Sequence, residues 1–382
     1  MVTLGIEQLK SGQGPDLTGK RLGLLSNQAS TDRFLTHSRD LISRHFPGQL
    51  TCLFSPQHGF FSEKQDNMIE SADGRDDSTD LPLFSLYGEV RKPTPSMLDH
   101  IDVLLIDLCD VGTRVYTFIY TVAFCLEAAQ ECGKKVIVLD RPNPIGGTHM
   151  EGNLLQKGFE TFVGLYPLPM RHGMTVGELA LLFNEEFGIG ADLAVVPMTD
   201  WKRWMLFPET GLPWVFPSPN MPTFLTALVY PGQVLWEGTN VSEGRGTTLP
   251  FELFGAPYFE PQAILESLDA EDLTGCLLRP LAFEPTSNKW QGNQCCGFQV
   301  HVLDFQSFKP YRTSLALLKA AMSLYPTTFA FKQPPYEYEY DLLPIDCILG
   351  DDLIRKGLAD GVSLQEMEGD WQKELDGFAR LR

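Results

Sequence analysis

The sequence predicts an α/β protein, a doubly wound and mostly parallel sheet followed by a second, smaller α+β domain. Three observations carry this. Four short apolar runs in the first 140 residues each stop abruptly at polar, turn-forming residues, and helical stretches lie between them. The texture then changes after Trp201, where Pro208, Pro213, Pro217, Pro219 and Pro222 crowd into 15 residues. A chain of 382 residues also exceeds the size at which one core usually stops growing. Two domains are therefore expected, over 1–205 and 206–382.

The four apolar runs are 21–26, 50–55, 103–108 and 136–139. Near-continuous apolar runs of this length suit strands buried on both faces, as in a parallel sheet with helices above and below. Between them, 31–45 reads as a helix capped at Thr31 or Asp32 with Phe34, Leu35, Leu41 and Ile42 inward. A second helix over 117–131 turns Phe118, Val122, Leu126 and Ala129 to the core, and a third over 175–187 opens on a capping box of Thr175 and Glu178. A strand over 193–197 follows, and 63–82 reads as a long polar excursion from the sheet edge. Beyond the junction, strands are expected over 225–230 and 297–303, and helices over 311–323 and 364–378.

Thirty Lys and Arg against 49 Asp and Glu give a net charge of −19, a field that repels phosphate backbones and anionic membranes. Nucleic acid is thus not an expected partner, and an anionic small ligand would need a local basic pocket. No apolar run approaches the ~20 residues of a membrane span, and the opening residues show no leader pattern. A cytoplasmic location is expected for the chain as given, or an exported one if a leader has been removed. The eight cysteines show no zinc spacing and read as reduced thiols, with no metal or organic cofactor expected.

In a doubly wound sheet, ligands bind outside the carboxyl ends of the strands. The polar tails there carry Asn27 and Gln28, then Gln57 and His58, then Asp107, Asp110, Arg114 and Tyr116, then Asp140, Arg141 and Asn143. Each alone has a structural explanation as a turn former or ion-pair partner. Arg171 and His172 precede a helix start, where free N–H groups favour an anion. The stretch 236–247 packs Glu237, Asn240, Glu243, Arg245 and three glycines together. No phosphate-binding glycine spacing, nucleophile elbow or metal-protease motif is present, which leaves acid/base chemistry by carboxylates, His and Tyr. The residues by themselves indicate a hydrolase or lyase acting on a polar, anionic small ligand.

At these same stretches the sequence resembles the NamZ-type exo-β-N-acetylmuramidases, a glycoside hydrolase family. The resemblance rests on Ser26-Asn27-Gln28-Ala29-Ser30, Pro56-Gln57-His58-Gly59-Phe60, Ser85-Leu86-Tyr87-Gly88 and 107–114. It continues through Asp140-Arg141-Pro142-Asn143-Pro144, Arg171-His172-Gly173-Met174-Thr175, 217–222 and 237–247. It implies a Rossmann-like domain whose cleft is closed by an auxiliary domain, and release of terminal N-acetylmuramic acid from peptidoglycan fragments. His58 would then orient or relay a proton, and Asp110 or Glu243, with Glu151 as a further carboxylate, would supply acid or base. Arg114, Arg171 or Arg245 would hold the lactyl carboxylate, with Asn27, Gln28, Tyr116, Asn143, His172, Asn220, Glu237 and Asn240 lining the substrate. The chain departs from the family at two places. Gln57 stands where the family usually has a glutamate, and Cys109 where it usually has a glutamine. An amide cannot serve as a general acid, so the alternative is a muramyl-sugar or amino-sugar binding protein without that activity, or one of altered specificity.

Overall fold

In the central runs, successive residues face opposite sides of a sheet. Leu24, Leu53, Leu105, Ile137 and Leu139 pack on one face against Ile6, Leu9, Leu41 and Ile42, while Leu25, Phe54, Ile106 and Val138 pack on the other. The computed structural model describes every residue except Asn67. Its strands are β1 (Leu22–Ser26), β2 (Leu50–Ser55), β3 (Gly74–Arg75), β4 (Pro82–Ser85), β5 (Val103–Asp107), β6 (Lys135–Leu139), β7 (Glu151–Leu154), β8 (Pro169–Arg171), β9 (Asp192–Val196), β10 (Leu253–Ala256), β11 (Cys276–Phe283) and β12 (Cys295–Val302).

The main sheet has the order β3-β4-β2-β1-β5-β6-β9, and all its pairings are parallel except β3 with β4. The chain runs outward from β1 through β2 to β4, then returns to lay β5, β6 and β9 on the other side. The gap between β1 and β5 is therefore the topological switch point. β7 and β8 form a separate hairpin-like pair, and β10-β12-β11 form an antiparallel sheet in the second half of the chain.

Two elements differ from expectation. Residues 31–36 are not helical, and the helix begins at Ser38. Asp32 turns its carboxylate onto the N–H groups of Phe34 and Thr36, and this local competition holds a turn until His37 caps the helix. The run at 225–230 is not a strand but part of the helix Phe224–Gln233. A short continuous apolar run has no period to distinguish the two states, and Thr223 caps the helix through the N–H of Thr226. That helix crosses Pro310–Leu324 so closely that a Cβ on Gly232 would lie 1.9 Å from the Pro310 carbonyl oxygen. The other expected elements agree within a few residues at their ends.

One hydrophobic cluster runs from the outer face of the sheet into the second half without a break, through Phe118, Met170, Tyr230, Trp236, Phe254 and Tyr311. Arg114 spans the join. Fully buried, it donates to the carbonyls of Asn153 (2.8 Å), Leu168 (2.9 Å), Ile348 (3.1 Å) and Leu349 (2.6 Å). The last two are orphan carbonyls at the end of helix Pro344–Leu349, where a cation is favoured. Among the described residues no helix is long and apolar enough to cross a membrane.

Arg114→Met keeps the bulk but removes all four bonds, while the Leu168 and Leu349 carbonyls each keep one other donor, the Leu155 N–H and the Asn153 side-chain amide. It should lower unfolding free energy by about 2 kcal/mol or more, since each buried unsatisfied group costs about 1–3 kcal/mol. Denaturant unfolding checks this, and a variant as stable as the parent would show that the clamp is dispensable.

Candidate active site

At the switch point, Ser26 of β1 lies beside Asp107 of β5. Asp107 is completely buried, and its carboxylate is held by Arg141 Nη2 at 2.8 Å, by Arg141 Nε and by the Ser38 hydroxyl. Its carbonyl accepts the Ser30 hydroxyl at 2.5 Å, while Arg141 also donates to the Thr31 carbonyl at 2.9 Å. The tails of β1, β5 and β6 are thereby locked together.

On that platform the proline-rich segment is fastened down. Asn27 Nδ2 donates to the Pro217 carbonyl (2.7 Å), Gln28 Nε2 to the Phe216 carbonyl (3.0 Å) and the Ser62 hydroxyl again to Pro217 (3.1 Å). The crevice where this topology ordinarily takes a ligand is thus roofed by the chain itself. Beneath the roof remains a small recess, walled largely by Leu4, Pro144, Phe207, Leu212, Pro213 and Trp214, with Cys109 and Asp110 also in its lining. Asp110 is turned into the protein, accepting the Gly112 N–H at 2.7 Å and lying 3.1 Å from His172 Nε2.

The polar cleft lies further along the edge, between the β2 and β5 tails and the second half of the chain. It is lined by Gln57, His58, Tyr116, Ser218, Asn220, Tyr230, Glu237, Arg245, Tyr336 and Glu337, among others. Its lining gathers far more polar and ionisable groups than the apolar recess does, which makes it the candidate site. Glu237 bonds Arg245 at 2.6 Å through one oxygen and accepts the Tyr336 hydroxyl at 2.7 Å through the other. Burial would raise this carboxyl, but the Arg245 charge and hydrogen bonds outweigh it and hold Glu237 below the ordinary range. Behind Arg245, Glu243 lies 3.3 Å from its Nε and 2.7 Å from Lys289 Nζ, and burial pulls Lys289 down.

Glu337 is the opposite case. It accepts Gln57 Nε2 at 3.0 Å and the Tyr87 hydroxyl at 2.5 Å, yet burial, with the nearby Glu237 charge, pushes its carboxyl up to about 6. Thr117 fixes the Gln57 amide by donating to its Oε1 at 2.5 Å. His58 has a positive φ of 73° and points Nδ1 at the Lys64 carbonyl, 2.7 Å away. That nitrogen must carry the hydrogen, which leaves Nε2 an acceptor. Burial pulls the ring down to about 4, so His58 is neutral at pH 7. The segment after β2 is stitched to the second half of the chain. Asn220 donates to the Gln65 carbonyl (2.9 Å), Asn288 to Asp66 (3.2 Å) and Tyr338 to Glu70 (3.2 Å).

Comparison with known proteins shows the family. The family described as Exo-beta-N-acetylmuramidase NamZ matches in two parts, the N-terminal one over residues 22–225 and the C-terminal one over 228–382. The chain belongs to the NamZ family. It is 44% identical over 381 residues to the peptidoglycan beta-N-acetylmuramidase NamZ of Bacillus subtilis (strain 168), covering 100% of this chain and 90% of that protein. Two crystal structures of DUF1343 family proteins from Bacteroides fragilis NCTC 9343 share the fold. One has a TM-score of 0.90 at 35% identity and the other 0.77 at 28%, each covering 100% of this chain and 97% of its own.

Of the residues singled out from sequence, this NamZ-family chain gathers Gln57, His58, Tyr116, Asn220, Glu237 and Arg245 around the cleft, with Glu243 one contact behind. Others lie elsewhere. Asn27 and Gln28 hold the roof, Asn143 bonds the Met174 carbonyl, and Asn240 bonds the Thr328 carbonyl and the Tyr258 hydroxyl. Arg114 is the carbonyl clamp, and Arg171 is buried against the Ile145 carbonyl with Glu151 as its charge partner. The helix start after His172 is already occupied, because Asp140 accepts the Gly177 N–H at 2.8 Å and the Thr175 hydroxyl at 3.0 Å. Glu337 was not anticipated. It sits in a Tyr-Glu-Tyr-Glu-Tyr stretch that matches no catalytic motif, and its proximity to Gln57 is purely tertiary.

Glu151, away from the cleft, gives a test of the buried electrostatics. Burial pushes its carboxyl from the ordinary 4.5 up to about 7, against the Arg312 N–H and the Arg171 charge. A folded value raised in this way stabilises the fold below about 4.5, and the contribution fades as pH climbs through about 7. Relative to Glu151→Gln, the parent should lose stability across that window in denaturant unfolding at a series of pH values. Parallel curves would contradict the assignment.

Proposed function

We propose that this chain hydrolyses the β-glycosidic bond of a terminal N-acetylmuramic acid at the non-reducing end of peptidoglycan-derived fragments, in the polar cleft. The observation that carries the reading is a pair of buried carboxylates in one cleft whose surroundings drive them in opposite directions, Glu237 down and Glu337 up. Glycoside hydrolysis needs that division, one carboxyl protonated for the leaving oxygen and one ionised beside the developing positive charge at C1. Family membership supplies the sugar. Of the three arginines offered for the lactyl carboxylate, Arg245 is the one at the cleft. The neutral His58 and the Tyr116 and Asn220 side chains add hydrogen-bonding groups for the sugar ring.

The test compares two disaccharides on the same N-acetylglucosamine acceptor, one with β-linked N-acetylmuramic acid and one with β-linked N-acetylglucosamine at the non-reducing end. Free N-acetylmuramic acid should appear from the first, with little cleavage of the second. Equal rates, or none, would overturn the reading. Glu237→Gln, which keeps the shape but loses the charge, should lower kcat by about 10²-fold or more with a modest change in KM.

A further inference from the structure

Position 57 holds an amide where the resemblance leads one to expect an acid, but a carboxyl group lies one hydrogen bond away. Glu337 reaches the same corner from a stretch of chain 280 residues later, its Oε1 3.0 Å from Gln57 Nε2. We propose that Glu337 is the proton donor to the departing glycosidic oxygen, and that Gln57 is the positioning residue that holds it. This rests on the muramidase reading above and goes beyond it by naming the acid.

Three features support the assignment. Glu337 lines the cleft and is 3% exposed, so it reaches the ligand space without being solvated by bulk water. Its backbone is held at φ 46° and that of Tyr338 at 67°, a conformation that non-glycine residues rarely adopt and that clusters at working sites. Its neighbours also form a complete cradle. The Tyr87 hydroxyl takes one oxygen and the Gln57 amide the other, and Thr117 fixes which end of that amide faces Glu337. The charged and titratable groups facing it are Tyr87 and Arg91 from the sheet domain, and Tyr230, Glu237 and Tyr336 from the second half of the chain. Glu237 opposes ionisation of Glu337, and Arg91 is the one cation among these groups. An amide at 57 orients the carboxyl at every pH without competing for its proton, whereas a glutamate there would share it.

In the reaction, the Glu337 proton passes to the glycosidic oxygen as the C1–O bond breaks, and the bonding pair leaves with that oxygen. The acceptor sugar departs as an alcohol. A water oxygen then bonds to C1, and the proton it releases restores the carboxyl, directly or through solvent.

A proton donor matters most when the leaving group is poor. The experiment therefore measures kcat/KM against pH for the parent and Glu337→Gln on two β-muramides, one with N-acetylglucosamine and one with 4-nitrophenol as leaving group. For the parent, the disaccharide rate should fall above pH about 6 while the nitrophenyl rate does not. Glu337→Gln should lose about 10² to 10⁴ in rate on the disaccharide, stay within about tenfold on the nitrophenyl substrate and lose the alkaline limb. Gln57→Glu should carry that limb to higher pH, which a purely structural role for residue 57 would not do. Equal losses on both substrates, or a limb that survives Glu337→Gln, would overturn the assignment. Should Glu337→Gln fail to fold, the parent decides alone, because an identical limb on both leaving groups excludes Glu337 as donor. A parent inert on both muramides would instead sink the muramidase reading and this proposal with it.

Discussion

The architecture depends on one buried carboxylate. Asp107 sits at the switch point with no exposure to water, where an unpaired charge would be prohibitively costly. Arg141 from the tail of β6 and Ser38 from the following helix hold the carboxylate, while Ser30 from the tail of β1 bonds the Asp107 carbonyl, so three strand tails meet at this residue. Because those tails cannot move independently, Asn27 and Gln28 become fixed anchors, and the proline-rich segment fastened to them delivers Ser218, Asn220 and Met221 to the cleft. A residue that reads as a ligand-site candidate, at a position where such folds usually bind, has been turned into foundation.

That conversion explains which parts of the molecule were legible in the sequence. The parallel sheet was, since strands buried on both faces leave continuous apolar runs that stop where the polar edge begins. The run at 225–230 was not, because so short an apolar run carries no period and only the Thr223 cap and the close crossing at Gly232 decide for a helix. The site was legible as a neighbourhood. Polar tails at strand ends do collect at one edge, but nothing in the composition of Asn143, Arg171 or His172 distinguishes a side chain turned inward from one that opens to a ligand. Glu337 was hidden for a different reason, since its environment is built entirely by contacts distant in sequence.

The electrostatics of the cleft run against those of the whole. A chain carrying −19 repels an anionic sugar at long range, so its recognition must be local and dry. Arg245 and Lys289 supply positive charge within the wall, each countered by Glu237 or Glu243. Such a network keeps the buried charges balanced in the empty site and sets the ionisation of its members before any ligand arrives.

The stitched segment after β2 has a consequence for how the two halves of the chain can move. Its bonds join Asn220 to Gln65, Asn288 to Asp66 and Tyr338 to Glu70, partners 155, 222 and 268 positions apart in sequence. Parting the two halves on this side would break all three together. A hinge here would have to release the whole seam at once.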